Sequence, residues 1–178
     1  MGGLFGKLRS LFFARHMELV VVGLANSGKT TFSNYLHTGR FVSEGPTVGL
    51  NVKVFQKGRT TIKCWDLGGQ SRYRAEWSRY TKGSDVIVFV VDTQCPEDLP
   101  MAKKELHQLL EDRELAKLPL LVLANKIDMG PKFTEAELIK GLNLDYCAEQ
   151  DWLVIPISAK EGTHIDRALE FLLKRSRA

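Results

Sequence analysis

At 178 residues, with a net charge of +4, 44% hydrophobic and 26% charged side chains, the chain has the size and composition of one globular domain rather than a disordered or fibrous polypeptide. Its longest apolar runs, VIVFVV at residues 86–91 and LPLLVLA at 118–124, fall far short of the roughly 20 residues needed to cross a bilayer. Cys64, Cys95 and Cys147 are odd in number, far apart and without a CxxC, which argues against a disulfide framework or zinc site and for a reducing compartment; no interleaved basic and aromatic patch speaks for nucleic acid.

The first segment, MGGLFGKLRSLFF (residues 1–13), mixes glycines, large apolar residues and cations. Lys7 and Arg9 interrupt the apolar core that a secretory signal requires, so the segment is expected to be retained. On a helical wheel Leu4, Phe5, Leu8, Leu11 and Phe12 fall within an arc of about 120°, with Lys7 and Arg9 near its rims. Residues 1–16 are therefore expected to form an amphipathic membrane-binding segment ahead of a domain spanning 17–178. Gly2, Gly3 and Gly6 each weaken a helix by about 1 kcal/mol relative to Ala, so in water the segment is a poor helix by itself. Gly2 is available for lipidation, but Gly6 stands where the acylation pattern has Ser or Thr, and the question stays open.

From Met17 the pattern becomes regular. MELVVVG (17–23) reads as a buried strand and KTTFSNYLHTG (29–39) as a helix closed by Gly39. NVKVFQ (51–56) and TTIKCW (60–65), joined by Lys57-Gly58-Arg59, read as an antiparallel hairpin. Strands at 85–92, 118–125 and 152–158 then alternate with helices near 99–114, 134–142 and 163–174. This pattern predicts an α/β domain with a mostly parallel sheet, its Val/Ile/Leu strands covered by helices on both faces and ligands at the strands' carboxyl ends.

GLANSGKT (23–30), directly after the first strand, fits G-x-x-x-x-G-K-S/T. Backbone N–H groups of Gly23, Leu24, Ala25, Asn26, Ser27, Gly28 and onward to Thr31 can wrap an anion at the positive end of the following helix. Gly23 and Gly28 allow the tight backbone, Lys29 can reach β/γ-phosphates, and the Thr30 hydroxyl can ligate Mg²⁺. The loop alone does not separate ATP from GTP. Asn125-Lys126-Ile127-Asp128 ends the strand LPLLVLA on the same rim, and Asp128 offers two acceptors that suit the N1–H and exocyclic amine of guanine. Asn125 and the Lys126 stem could hold the loop and cover the base, while Ser158-Ala159-Lys160 could offer N–H groups to the guanine carbonyl. In WDLGGQ (65–70), Asp66 can hold Mg²⁺ through a water, Gly69 can offer an N–H to the γ-phosphate, and Gln70 can orient the attacking water. Thr47 can bring a second hydroxyl to Mg²⁺.

In order and spacing, GLANSGKTTF, PTVGLN, WDLGGQSRYR, Trp77 with Arg79-Tyr80, NKID and SAK resemble the small GTPase superfamily, and WDLGGQ points to its ADP-ribosylation-factor-like (Arf-like) group. The surrounding phrases look most like the lysosome-associated branch. The resemblance implies a P-loop fold with a six-stranded sheet carrying one antiparallel edge strand, and a GTP/GDP switch dependent on Mg²⁺. It further implies switch regions at 40–50 and 68–83 that bind effectors, and a hairpin at 51–65 that slides in register when GTP binds. An exchange factor, a GTPase-activating protein and membrane lipids are the implied partners, and the cytosolic face of lysosomal, endosomal or Golgi membranes the implied location. Two positions depart from the family: Leu50 replaces a usual Phe, and Ala25 occupies a loop position where many small GTPases carry another residue. A GTP-binding scaffold without hydrolysis is an alternative, which Gln70 opposes, as is an ATP-dependent metabolite kinase, which NKID opposes.

Overall fold

The computed structural model describes residues 14–147 and 150–177. Residues 1–13 of the expected amphipathic segment, with Leu4, Phe5, Leu8, Leu11, Phe12 and Gly2, lie outside the described residues, whereas Arg15 and His16, placed at its end, belong to the first strand of the folded body. In chain order the elements are β1 (Arg15–Val22), α1 (Lys29–Thr38), β2 (Leu50–Lys57), β3 (Thr60–Leu67), α2 (Ser71–Arg74), α3 (Trp77–Thr81), β4 (Val86–Asp92), α4 (Leu99–Leu110), β5 (Leu120–Asn125), α5 (Glu135–Leu142), β6 (Trp152–Pro156) and α6 (Ile165–Leu173). The strands form one sheet in the order β2-β3-β1-β4-β5-β6. Neighbours run parallel except the β2–β3 hairpin, in which Leu50 faces Leu67 and Lys57 faces Thr60.

The period-2 geometry of a strand explains why one strand feeds two cores. Val86, Val88 and Val90 of β4 pack with Phe32 and Leu36 of α1 and with Ala168, Phe171 and Leu172 of α6. Their neighbours Ile87, Phe89 and Val91 pack on the opposite face with Leu106 of α4 and Leu138 and Leu142 of α5. Each such side chain taken fully out of water contributes about 1.5–3 kcal/mol, and these faces press the helices onto the sheet.

Two helix ends follow local chemistry. Gly39 closes α1 at φ 73°, its N–H bonded to the Tyr35 carbonyl. Before α5, Thr134 and Glu137 form a reciprocal capping box. Several boundaries differ from the sequence expectation by one to four residues, and three of them have a visible cause. β1 starts at Arg15, two residues before the apolar onset, because Arg15 and His16 pair with Thr60 and Thr61 and His16 exchanges two backbone hydrogen bonds with Arg177. Helix α4 stops at Leu110 rather than near 114, since residues 115–117 wind into a separate short turn that buries Leu115. β6 ends at Pro156, beyond which Ser158 turns to bridge Thr163.

Candidate functional site

The carboxyl ends of β1, β3, β4 and β5 open on one rim, and the residues singled out by motif meet there. After β1 the chain arches through residues 23–28. Gly23 has φ +142°, and a Cβ there would stand 2.3 Å from the Val90 carbonyl oxygen; Gly28 has φ +93°, and its Cβ would lie 2.1 Å from Asn125 Nδ2. Both positions demand glycine for backbone conformation and for space. The arch leads into α1, whose first turn carries no acidic side chain, so its positive end is free to face an anion. A cavity of about 270 Å³ opens above it, lined by Ala25, Asn26, Gly28, Lys29, Thr30 and Thr31 on one side and by residues 44–47, Gly69 and Gln70 on the other.

Lys29 is 5% exposed and donates from Nζ to the Leu24 carbonyl at 2.6 Å. Burial pulls its ammonium down to about 8, against the opposing pull of Asp66 and helped by the Arg74 charge. A buried cation held by one neutral acceptor is poised to gain from an anion placed in the cavity. Thr30 Oγ1 and Thr47 Oγ1 stand 2.6 Å apart, which brings the loop 40–49 down onto the first turn of α1. Behind them Asp66 is fully buried, and its Oδ1 has no hydrogen-bond partner among the described residues. Burial pushes the Asp66 carboxyl above the usual carboxylate range, opposed in part by the nearby Thr30 hydroxyl and then by the Lys53 and Lys29 ammonium groups. Two hydroxyls and an orphaned carboxylate oxygen are hard oxygen donors, the set that suits Mg²⁺, so the residues present fit that ion.

The glycine turn after β3 rests directly on the phosphate loop. A Cβ on Gly69 would lie 2.4 Å from Lys29 Nζ and 2.5 Å from the Gly23 carbonyl oxygen, so only glycine permits this approach. The Trp77 indole N–H donates to the Gly68 carbonyl at 3.1 Å and Arg74 Nε to the Gly69 carbonyl at 3.0 Å, while the Arg74 guanidinium is paired with Glu105 of α4. Gln70 lines the cavity beside them. Arg40 is exposed at the end of α1.

On the other side of the rim, Asn125 joins three segments. Its Nδ2 donates to the Ser27 carbonyl at 2.9 Å and its Oδ1 accepts from the Ala159 N–H at 3.0 Å. Lys126 takes a left-handed conformation, φ 72°, and its ammonium pairs with Asp92. Asp128 Oδ1 accepts from the Ser158 hydroxyl at 2.7 Å, which fixes one carboxylate oxygen. Ala159 is buried and Lys160 exposed beside it. The phosphate cavity does not itself extend to this set; the two halves meet where Gly28 touches Asn125.

Four residues with a place in this architecture carry no motif in the sequence. Asp92 anchors Lys126, and the strand end FVVD is the signal that marks it. Gln94 donates to the Gly130 carbonyl across the base loop. The Tyr35 hydroxyl of α1 lies where a Gly162 Cβ would stand, so α1 buttresses the loop that carries Ser158. Lys53 reaches the buried Asp66 from β2. On the outer face Trp65 and Tyr80 stack at 6.3 Å between ring centroids, with Leu50 packed against the same core.

A sequence model described as the ADP-ribosylation factor family matches residues 4–176. ADP-ribosylation factor-like protein 8b of Arabidopsis thaliana is 42% identical over 172 residues, covering 96% of this chain and 94% of that protein. ADP-ribosylation factor-like protein 8c of the same plant is 42% identical over 171 residues, with 96% and 93% covered. Among solved structures, the Arl6 BBS3 small GTPase from Trypanosoma brucei with the bound nucleotide analogue GppNp superposes with a TM-score of 0.83 at 29% identity, covering 89% of this chain and 96% of that one.

Proposed function

This chain belongs to the ADP-ribosylation factor family of small GTPases, and we propose that it works as a membrane-recruited GDP/GTP switch on the cytosolic face of lysosomal or endosomal membranes. The family binds guanine nucleotide and hydrolyses GTP. The observation that carries the switch reading is the meeting of two loops on the phosphate site. Thr47 reaches Thr30, and Gly69 rests on Lys29 and Gly23. A γ-phosphate in this cavity touches both loops at once, and its loss removes what holds them.

In this reading the N–H groups of residues 23–31 and the Lys29 ammonium hold the phosphates, Asp128 and the Ser158-Ala159-Lys160 turn read guanine, and Asn125 and Lys126 keep the reader in place. Thr30, Thr47 and, through water, Asp66 would hold Mg²⁺, which when bound supplies positive charge to the β- and γ-oxygens. Gln70 orients the attacking water. Positioning and charge neutralisation then carry hydrolysis without a covalent intermediate. Arg74 is committed to Glu105 and Arg40 stands exposed at the end of α1, so turnover is slow until an activating protein supplies an arginine worth roughly 10³–10⁵ in rate. An exchange factor reopens the site, and effectors read residues 40–50 and 68–83, with Leu50, Trp65 and Tyr80 as the apolar anchor. Residues 1–13 are the membrane anchor of the GTP state.

Purified protein is expected to carry GDP or GTP and no adenine nucleotide, and single-turnover hydrolysis is expected to be slow. Liposome flotation, with and without residues 1–13, is expected to show the GTP-analogue form on the membrane and the GDP form off it. Equal flotation of both forms breaks the coupling, because linkage requires membrane and nucleotide to favour each other by one factor.

A further inference from the structure

Lys53 lies outside every motif, yet the fold carries it into the metal-binding part of the site. It stands on β2 opposite Cys64, on the inward face of the edge strand, while Val52 and Val54 on either side of it are exposed. Its Nζ donates to Ser33 Oγ of α1 at 3.2 Å and stands 3.8 Å from Asp66 Oδ2. Ser33 Oγ is itself 3.4 Å from that carboxylate oxygen and 3.0 Å from the Thr30 carbonyl. The ion pair is closed off from water: the Lys53 side chain is 10% exposed and that of Asp66 not at all. Among the described residues no other cation stands within ion-pair distance of Asp66, since Lys29 gives its hydrogen bond to the Leu24 carbonyl.

We propose that Lys53 is a positioning residue that serves as a tethered counter-ion to Asp66, sharing that carboxylate with Mg²⁺ and so making nucleotide retention less dependent on the metal. The inference rests on reading the site as a Mg²⁺-assisted guanine-nucleotide switch. A buried carboxylate without a partner is costly, and it repels phosphates placed beside it. An ammonium fixed on β2 cancels that charge whether or not metal is present. The same ammonium repels a dication brought to Asp66, so metal affinity is lower than Thr30, Thr47 and Asp66 alone would give. Ser33 aims the ammonium, which ties the electrostatics of the site to the position of the edge strand.

The test uses the full chain loaded with a fluorescent GDP, with release followed while Mg²⁺ is titrated from excess chelator to millimolar. Lys53→Met keeps the apolar stem and removes the charge. It is expected to lower the Mg²⁺ midpoint about tenfold and to speed release in chelator by a similar factor. Lys53→Arg is expected to restore wild-type behaviour on both counts. Ser33→Ala, which leaves the charge but not its aim, is expected to shift both readouts in the direction of Lys53→Met by a smaller amount, and it carries the test if Lys53→Met does not load nucleotide. An unchanged Mg²⁺ midpoint and unchanged chelator release in the loadable variants overturn the proposal. Wild-type protein that loses nucleotide at one rate with and without Mg²⁺ overturns the switch reading itself, and the proposal with it.

Discussion

Asn125 holds a carbonyl of the phosphate loop with its amide nitrogen and an N–H of the base loop with its oxygen, 34 residues further on. Asn125→Ala strands a buried carbonyl and a buried N–H, each costing about 1–3 kcal/mol when unpaired, so GDP affinity is expected to fall roughly 100-fold or more as measured by dissociation kinetics. Gln70 separates binding from chemistry. Gln70→Leu is expected to leave GTP affinity within a few-fold of wild type and to slow single-turnover hydrolysis about 100-fold or more, and equal rates in the two proteins would remove Gln70 from the mechanism. Asp128→Asn replaces an acceptor by a donor opposite guanine's own donors. Guanine-nucleotide affinity is expected to drop by orders of magnitude on competition binding, because a buried hydrogen-bonding mismatch is penalised far more than a missing contact.

At the scale of elements, α5 is secured by a device that can be removed without touching the site. Thr134→Ala loses the N-cap and is expected to cost about 1 kcal/mol of stability in denaturant titration, with GDP affinity unchanged. The Glu137 carboxyl is held below its ordinary range by the Thr134 N–H and hydroxyl. Its contribution is therefore present above its unfolded value and lost as pH falls through the lower folded one, and Glu137→Gln is expected to flatten that part of the acid-stability curve. Local chemistry of this kind is legible in the amino-acid order alone. Continuous Val/Ile/Leu runs announce strands covered on both faces, Gly39 announces the end of α1, and the motifs land on strand ends because phosphate and base must be met there. What escapes is non-local. Arg15 and His16 extend β1 only because β3 and residue 177 are there to pair with them. Lys53 and Tyr35 enter the site through register and helix packing, and little in their immediate neighbours marks them.

At the scale of the whole molecule the sheet separates two ends. The carboxyl ends of the parallel strands carry Gly23, Asp66 and Asn125, while their amino ends carry Arg15, Thr60 and, through the His16 bridge, Arg177. The candidate nucleotide site and the root of the proposed membrane segment thus sit on opposite rims, and the proposed coupling between them would have to pass along the strands. The β2–β3 hairpin is the element suited to that passage, as it touches α1 near the phosphates at Lys53 and the amino end of β1 at Thr60. The backbone bonds between His16 and Arg177 have a further consequence, for chain connectivity. Beginning and end of the folded body lie side by side, so the polypeptide can be re-spliced. A circular permutant that joins residue 177 to residue 15 by a short Gly/Ser linker and opens in the surface turn between Arg113 and Glu114 is expected to fold and bind GDP like the protein lacking residues 1–13. A bulky group fused after Arg177, by the same adjacency, would stand beside Arg15, where the proposed membrane segment joins the body.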